Sequence, residues 1–234
     1  MPIGDVRKKL RELSNPQKAE IVRKFFKTGP GEYGEGDIFL GIAVPVLRKL
    51  VKQFVGNPLD VASRLLESAI HEERMLALLL LIHAFSTSSQ QVKKRIYRLC
   101  LRKARRINNW DLVDVSAPNI VGAYLVDKNR EQLYDFARSH DHWRRRTAIV
   151  ATLAFIRQND FDDTFRISKI LLNDEHDLIR KAVGWMLREV GKRDLAAEER
   201  FLKFYYNTMP RTMLRYAIER FPVAKKKKYL NGKV

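Results

Sequence analysis

Arg146-Thr147-Ala148-Ile149, Arg180-Lys181-Ala182-Val183 and Arg215-Tyr216-Ala217-Ile218 share one pattern, Arg-x-Ala-aliphatic, and recur at steps of 34 and 35 positions. In the first two a leucine follows in phase, Leu153 and Leu187, and an acidic residue precedes, Asp141 and Glu175. A period in this range marks stacked helix pairs, each burying its apolar face against its neighbours. The small alanine lets helices approach closely, and the arginine is placed to bond an acidic neighbour in the next repeat. Met75-Leu76-Ala77-Leu78 lies two periods upstream of Arg146 in the same register. At ~35–40 residues per unit the chain has room for about six repeats. The expected fold is all-α, an α-solenoid with a long concave surface shaped to track a duplex.

The rest of the chain agrees with helices. Residues 60–66, 72–85, 92–107 and 194–206 carry apolar positions at helical spacing, and strand-like alternation is hard to find. Breakers fall between them: Asn15-Pro16, residues 29–36, Gly56-Asn57-Pro58, residues 86–89, Asn159-Asp160, Asn173-Asp174 and Met209-Pro210. One domain over residues 1–234 is expected, ending in a short basic tail at 225–234. The glycine-dense segment 29–36 lacks the Gly-Lys-Ser/Thr ending of a phosphate loop and reads as a long flexible connection.

Charge narrows the partner. The chain has 234 residues, with 45 Lys+Arg against 27 Asp+Glu and a net charge of +18, and its 45% hydrophobic content belongs to a folded protein. Such an excess favours nucleic acid or an anionic membrane surface. The longest apolar run, residues 75–82, is far short of the ~20 needed to span a bilayer. The opening Met1-Pro2-Ile3-Gly4-Asp5 has neither the basic start nor the apolar stretch of a secretory signal, so a cytoplasmic protein is expected. A lone Cys100 excludes an intrachain disulfide framework and a multi-cysteine zinc site, and reads as buried. The five histidines show no HExxH spacing, and His140-Asp141-His142 is a thin metal argument, so neither metal nor cofactor is expected.

Four places have residues suited to chemistry. Lys93, Lys94, Arg95, Arg98, Arg102, Lys103, Arg105 and Arg106 surround the apolar face Val92, Ile96 and Leu99, giving either a solvated surface or a phosphate contact. Next comes Asn108-Asn109-Trp110-Asp111-Leu112-Val113-Asp114, where Asn109 is a good N-cap and Asp114 shares a helix face with Trp110. An electron-rich ring beside a carboxylate suits a cationic ligand; alternatively Trp110 is core and Asp114 bonds an arginine of a neighbouring repeat. Trp185 interrupts an aliphatic helix after Gly184, which leaves room for backbone or ligand. Arg144-Arg145-Arg146 concentrates three charges, at least one of which should reach solvent or a phosphate.

With these residues in place, the chain resembles the AlkD-type DNA alkylation repair enzymes, alkylpurine DNA glycosylases built from HEAT-like helical repeats. The likeness covers Gly31-Glu32-Tyr33-Gly34-Glu35-Gly36-Asp37, Phe39-Leu40-Gly41-Ile42-Ala43-Val44-Pro45, the Asn109 to Asp114 run, residues 143–149 and residues 181–189. Trp-x-x-x-Asp followed by Gly-Trp-x-Leu-Arg is its specific part. The resemblance implies a solenoid of about six HEAT-like repeats with a concave basic cleft. It also implies a catalytic aspartate at Asp114, sugar-contacting tryptophans at Trp110 and Trp185, a cleft arginine at Arg146 and a phosphate neighbour at Arg188. Arg145 is grouped with these arginines as DNA-binding. Asn109 stands where some members carry another aromatic, which bears on substrate preference.

The expected activity is hydrolysis of the N-glycosidic bond of cationic N3- or N7-alkylated purines in duplex DNA, leaving an abasic site. No lysine stands out as a Schiff-base nucleophile, so strand cleavage is not expected. The expected partner of this monomer is double-stranded DNA with alkylated bases, not a membrane, and the enzyme would be nucleoid-associated when bound. The alternative is a non-catalytic HEAT-repeat protein that binds branched or damaged DNA.

Overall fold

The computed structural model describes residues 2–53 and 56–234. The chain forms two compact units, Met1–Ser116 and Ala117–Val234. The first holds α1 (Ile3–Glu12), α2 (Pro16–Phe25), α3 (Val44–Val51), α4 (Pro58–Leu65), α5 (His71–Thr87), α6 (Gln90–Arg102) and α7 (Trp110–Ser116). The second opens on a π-helical turn, Ala117–Gly122. It continues through α8 (Ala123–Leu125), α9 (Glu131–Ala137), α10 (His142–Ala151), α11 (Leu153–Ile156) and α12 (Asp162–Ile170). It ends with α13 (Asp177–Gly191), α14 (Leu195–Tyr205), α15 (Arg211–Ala217) and α16 (Val223–Leu230). Among the described residues the only β pairing is an isolated parallel bridge between Ile38 and Ile70. The fold is all-α.

Local chemistry sets the helix starts. Asn15 accepts from the Lys18 N–H at 3.0 Å and Asn57 from the Asp60 N–H at 3.5 Å, each with a proline as the first helical residue. An N-cap oxygen of this kind satisfies a donor the helix itself cannot, and proline loses nothing there. Helix α5 is apolar almost all round, the pattern of a helix buried on every side. Helices α3, α4, α6 and α7 pack on it.

In the second unit α13 has the corresponding place, with α10, α12, α14 and α15 against it. The repeating alanines Ala148, Ala182 and Ala217 are each 0% exposed. At Gly184 a side chain would put its Cβ 2.3 Å from the Met213 carbonyl oxygen, so α13 and α15 approach as closely as backbones can. The room left by this glycine is filled by the neighbouring helix. The repeating arginines, by contrast, have no common role. Arg146 is buried and donates to the Leu178 carbonyl, Arg180 donates to the Asp174 carbonyl at 2.7 Å, and Arg215 is exposed. Asp141, the acidic residue that precedes Arg146, caps α10 through the Trp143 N–H at 2.8 Å.

Two further expectations are corrected. The glycine-dense segment is a folded turn: the Gly29 N–H donates to Glu32 at 2.8 Å, that of Gly31 to Glu35 at 2.9 Å, and that of Gly34 to the Lys27 carbonyl at 3.0 Å. The C-terminal lysine run is not a free tail. It lies in α16, where Lys225 pairs with Glu199 and Tyr229 is buried with its ring centroid 5.4 Å from Tyr206 and 5.5 Å from Phe221. The run of four lysines obscured one anchoring ring.

Glu198 in α14 is 2% exposed, and its Oε1 has no hydrogen-bond partner. Burial pushes its carboxyl up to about 8, against the opposing charges of Arg188 and Lys225. The native state therefore keeps a proton that the unfolded chain releases near 4.5. This contribution to stability is complete below pH 4.5 and lost as the pH rises through about 8. Glu198→Gln, which is neutral at every pH, is expected to flatten that part of the decline and to raise the urea midpoint at pH 8.5. Parallel wild-type and variant midpoints from pH 5 to 8.5 would show the carboxyl to be ionised throughout.

Candidate functional site

Helix α7 starts from a buried asparagine. Asn109 is 0% exposed, and its side-chain oxygen accepts from the Trp110 N–H at 2.8 Å while its carbonyl accepts from the Val113 N–H at 3.0 Å. Trp110 is half-buried and Asp114, one turn on, is likewise only partly exposed. The indole stacks on Phe26 with centroids 5.1 Å apart and planes at 8°, and the exposed Phe25 meets its edge at 5.8 Å. Behind Phe26 the stack continues through Phe39 at 5.1 Å to His71, 4.6 Å from Phe39. Trp110 thus rests on a rigid aromatic support with part of its surface open.

His71 joins this stack to a buried ionic network. Its Nε2 donates to Asp111 at 2.8 Å and its Nδ1 to Asp37 at 3.2 Å. Burial disfavours the charged ring, but the bonds to Asp111 and Asp37 prevail and raise His71 to about 9, so it is an imidazolium at neutral pH. Asp37 is held below the ordinary carboxylate value: burial opposes this, and the His71 bond and the Arg74 charge outweigh it. Arg74 completes the network, donating to Asp37 at 2.7 Å and to the Ser68 carbonyl at 2.8 Å. Next to it, the Glu72 carboxylate accepts the N–H groups of Leu40, Gly41 and Ile42 at 2.9, 2.8 and 3.2 Å, fixing the loop that carries Phe39. The first turn of α7 is therefore tied down through Asp111, and Trp110 and Asp114 inherit that rigidity.

In the second unit Trp185 is half-buried on α13, and its indole N–H donates to Glu189 at 3.0 Å. It lines a cavity of about 330 Å³ with Leu153, Ile156, Arg157, Lys192 and Arg193. Glu189 also lines it and pairs with Lys192 at 2.6 Å, and the exposed Arg157 and Arg193 give the remaining rim a cationic character.

The three expected DNA-binding arginines are all engaged within the protein. Arg146 is 5% exposed and reaches the start of α13 through Leu178. Arg145 donates to Asp174 at 2.6 Å and to the Ser139 and His140 carbonyls, both at 2.9 Å. Arg188 pairs with Glu219 and lies 3.8 Å from Glu189. Of the Arg144-Arg145-Arg146 run, it is Arg144 that points to solvent. Elsewhere, burial pushes the Cys100 thiol up to about 12, consistent with a packing role. His142 stacks on His176 at 4.4 Å, and burial lowers both rings below their ordinary value. Among the described residues no group of three His, Cys, Asp or Glu side chains is placed to hold a metal ion.

A family model for DNA alkylation repair enzymes matches residues 6–221. The chain belongs to the DNA alkylation repair enzyme family. Its role is accordingly in DNA repair, with DNA as the molecule acted on. A solved structure described as a predicted DNA alkylation repair enzyme from Enterococcus faecalis has the same fold, with a TM-score of 0.69 at 18% identity over 90% of this chain and 97% of that one. None of the curated proteins searched gives a significant match. Among the described residues no helix is long and apolar enough to cross a membrane.

Sequence reasoning about this family member missed the His71 network and the rim around Trp185. A signal for the first was present. His71-Glu72-Glu73-Arg74 sets four polar residues at the head of the most apolar helix, and such groups are buried only when each has a partner. Arg157 carries no local signal, because it meets Trp185 only once α11 packs on α13, whereas Lys192 and Arg193 follow Trp185 by seven and eight positions on the same helical side.

Proposed function

We propose that this member of the family is a monofunctional DNA glycosylase acting on N3- or N7-alkylated purines in duplex DNA. The observation that carries the reading is the pairing of Trp110 and Asp114, one turn apart on a helix whose first turn is locked by the His71–Asp111 bond. An alkylated purine of this kind already bears a positive charge, so its glycosidic bond is weakened and the base departs neutral. No general acid is needed. The enzyme's task is to favour positive charge on the deoxyribose and to deliver water.

A fixed carboxylate suits both parts of that task. As the C1′–N bond breaks, its electron pair goes to the leaving purine and oxocarbenium character grows on the sugar, which the Asp114 carboxylate opposes with its charge. The same carboxylate orients a water toward C1′ and takes up the proton released when the C1′–O bond forms. The indole ring of Trp110 supplies an electron-rich face whose attraction for the sugar increases with its charge, and Trp185 in the second unit carries a ring of the same kind. With Arg145, Arg146 and Arg188 engaged inside the protein and Lys192 paired with Glu189 at 2.6 Å, Arg157 and Arg193 are the exposed cations offered to phosphates beside Trp185. Arg146 and Arg145 then serve the site by fixing α10 against the start of α13.

Monofunctional hydrolysis has a direct readout. A duplex with a single 7-methylguanine, incubated with the protein, should keep an intact strand until it is treated with alkali, and then break at the lesion. Strand breakage before alkali would overturn the monofunctional assignment. Binding of damaged or branched duplex with no alkali-labile sites would instead favour the non-catalytic alternative.

A further inference from the structure

Helix α6 and the turn after it have a composition that works against their own stability. Residues 90–106 include eight lysines and arginines and no acidic residue. Lys93 and Lys94 stand in the first turns, where the positive end of the helix disfavours cations. Three of the eight are offset by the protein. Lys103 and Arg106 pair with Glu67, and Lys93 lies over the Phe85 ring at 5.4 Å. Lys94, Arg95, Arg98, Arg102 and Arg105 are exposed, and among the described residues none has an ion-pair partner. Within α6, the spacing of three and four puts Lys94, Arg95, Arg98 and Arg102 on one face, away from Ile96, Leu99 and Cys100, which are buried; Arg105 lies in the turn beyond it. Like charges at such spacing repel one another, and nothing in this unit relieves them.

We propose that this stripe is a docking surface for the sugar-phosphate backbone of duplex DNA, on a helix that carries none of the residues assigned to base excision. From Lys94 to Arg102 the stripe rises ~12 Å along the helix, at ~1.5 Å per residue. Phosphates of one strand follow each other at ~3.4 Å along the duplex axis, so the stripe matches roughly three to four of them. The surface reads no sequence; it adds affinity for undamaged duplex and keeps the protein on DNA between lesions. The inference requires only that the protein meets DNA, and so does not depend on glycosylase chemistry.

The test is a quadruple variant, Lys94→Gln, Arg95→Gln, Arg98→Gln and Arg102→Gln, in the full chain. Glutamine forms helix about as well as lysine and arginine, and thermal unfolding at low salt should show the variant at least as stable as the wild type. Binding to an undamaged 20-base-pair duplex is measured from 50 to 300 mM salt. Each phosphate contact contributes about 0.9 to the slope of log K against log salt, so the slope should fall by about 3 to 4. A fall of less than one would overturn the proposal. So would an unchanged DNA slope accompanied by lost binding to phosphatidylserine vesicles, which would assign the stripe to a membrane surface. Base release by the wild-type protein is a separate readout, so failure of this surface and failure of the glycosylase reading remain distinguishable.

Discussion

Asp114→Asn is expected to lower the single-turnover rate of 7-methylguanine release about 10²- to 10³-fold, with affinity for undamaged duplex close to that of the wild type. The magnitude is that of removing one preorganised electrostatic contact to charge that develops only in the transition state. Asparagine keeps the size and hydrogen-bonding shape of aspartate but loses the charge that opposes the oxocarbenium ion and the basicity that accepts a proton from water. The ground-state complex, held by phosphate contacts and by the Trp110 ring, is unaffected. The rate should therefore fall without a matching loss of affinity. A variant that loses affinity and rate together would identify Asp114 as a structural carboxylate, the other role its position in a helical repeat allows.

His71→Phe is expected to be the most destabilising single change in the first unit, at about 3–5 kcal/mol. That is the usual cost of leaving buried charge without its partner. The phenyl ring can retain the stack on Phe39, so the loss isolates the two bonds to Asp37 and Asp111. Asp37 would keep Arg74, whereas Asp111 would lose the donor that ties down α7. The pH dependence has a definite sign. A histidine raised from 6.5 to about 9 stabilises the native state fully below pH 6.5, and this stabilisation disappears as the pH rises through about 9. Wild-type stability should fall across that window and the variant should lack this fall. Denaturant midpoints at pH 6, 7.5 and 9 check it, with Glu198→Gln as a second variant because the Glu198 carboxyl contributes its own decline up to pH 8.

What could be read ahead of the structure depended on how local the signal was. Arg-x-Ala-aliphatic units predict stacked helices correctly because the alanine is constrained by the backbone opposite, and all three alanines are fully buried. The arginine in the same unit misled. It caps a carbonyl in one repeat, bonds a different carbonyl in the next and faces solvent in the third, so equal spacing did not mean equal chemistry. Asn109 as the residue opening α7 follows from capping chemistry alone. The ties that hold that helix, by contrast, connect Asp37, His71 and Asp111 across more than seventy positions, and none of the three belongs to the Arg-x-Ala-aliphatic units. Trp110 and Asp114 were legible as a pair because both lie on one helical turn; Phe26, which supports the indole, became visible only when α2 met α7.

The central claim is that this repair protein breaks a glycosidic bond itself. The most direct test is chromatographic detection of free 7-methylguanine and 3-methyladenine after incubating the purified protein with methylated duplex DNA at neutral pH. The account predicts release well above the spontaneous depurination rate, in proportion to enzyme, and reduced to near that rate by Asp114→Asn. Release no faster than spontaneous loss, by a protein that nonetheless binds the duplex tightly, would contradict it.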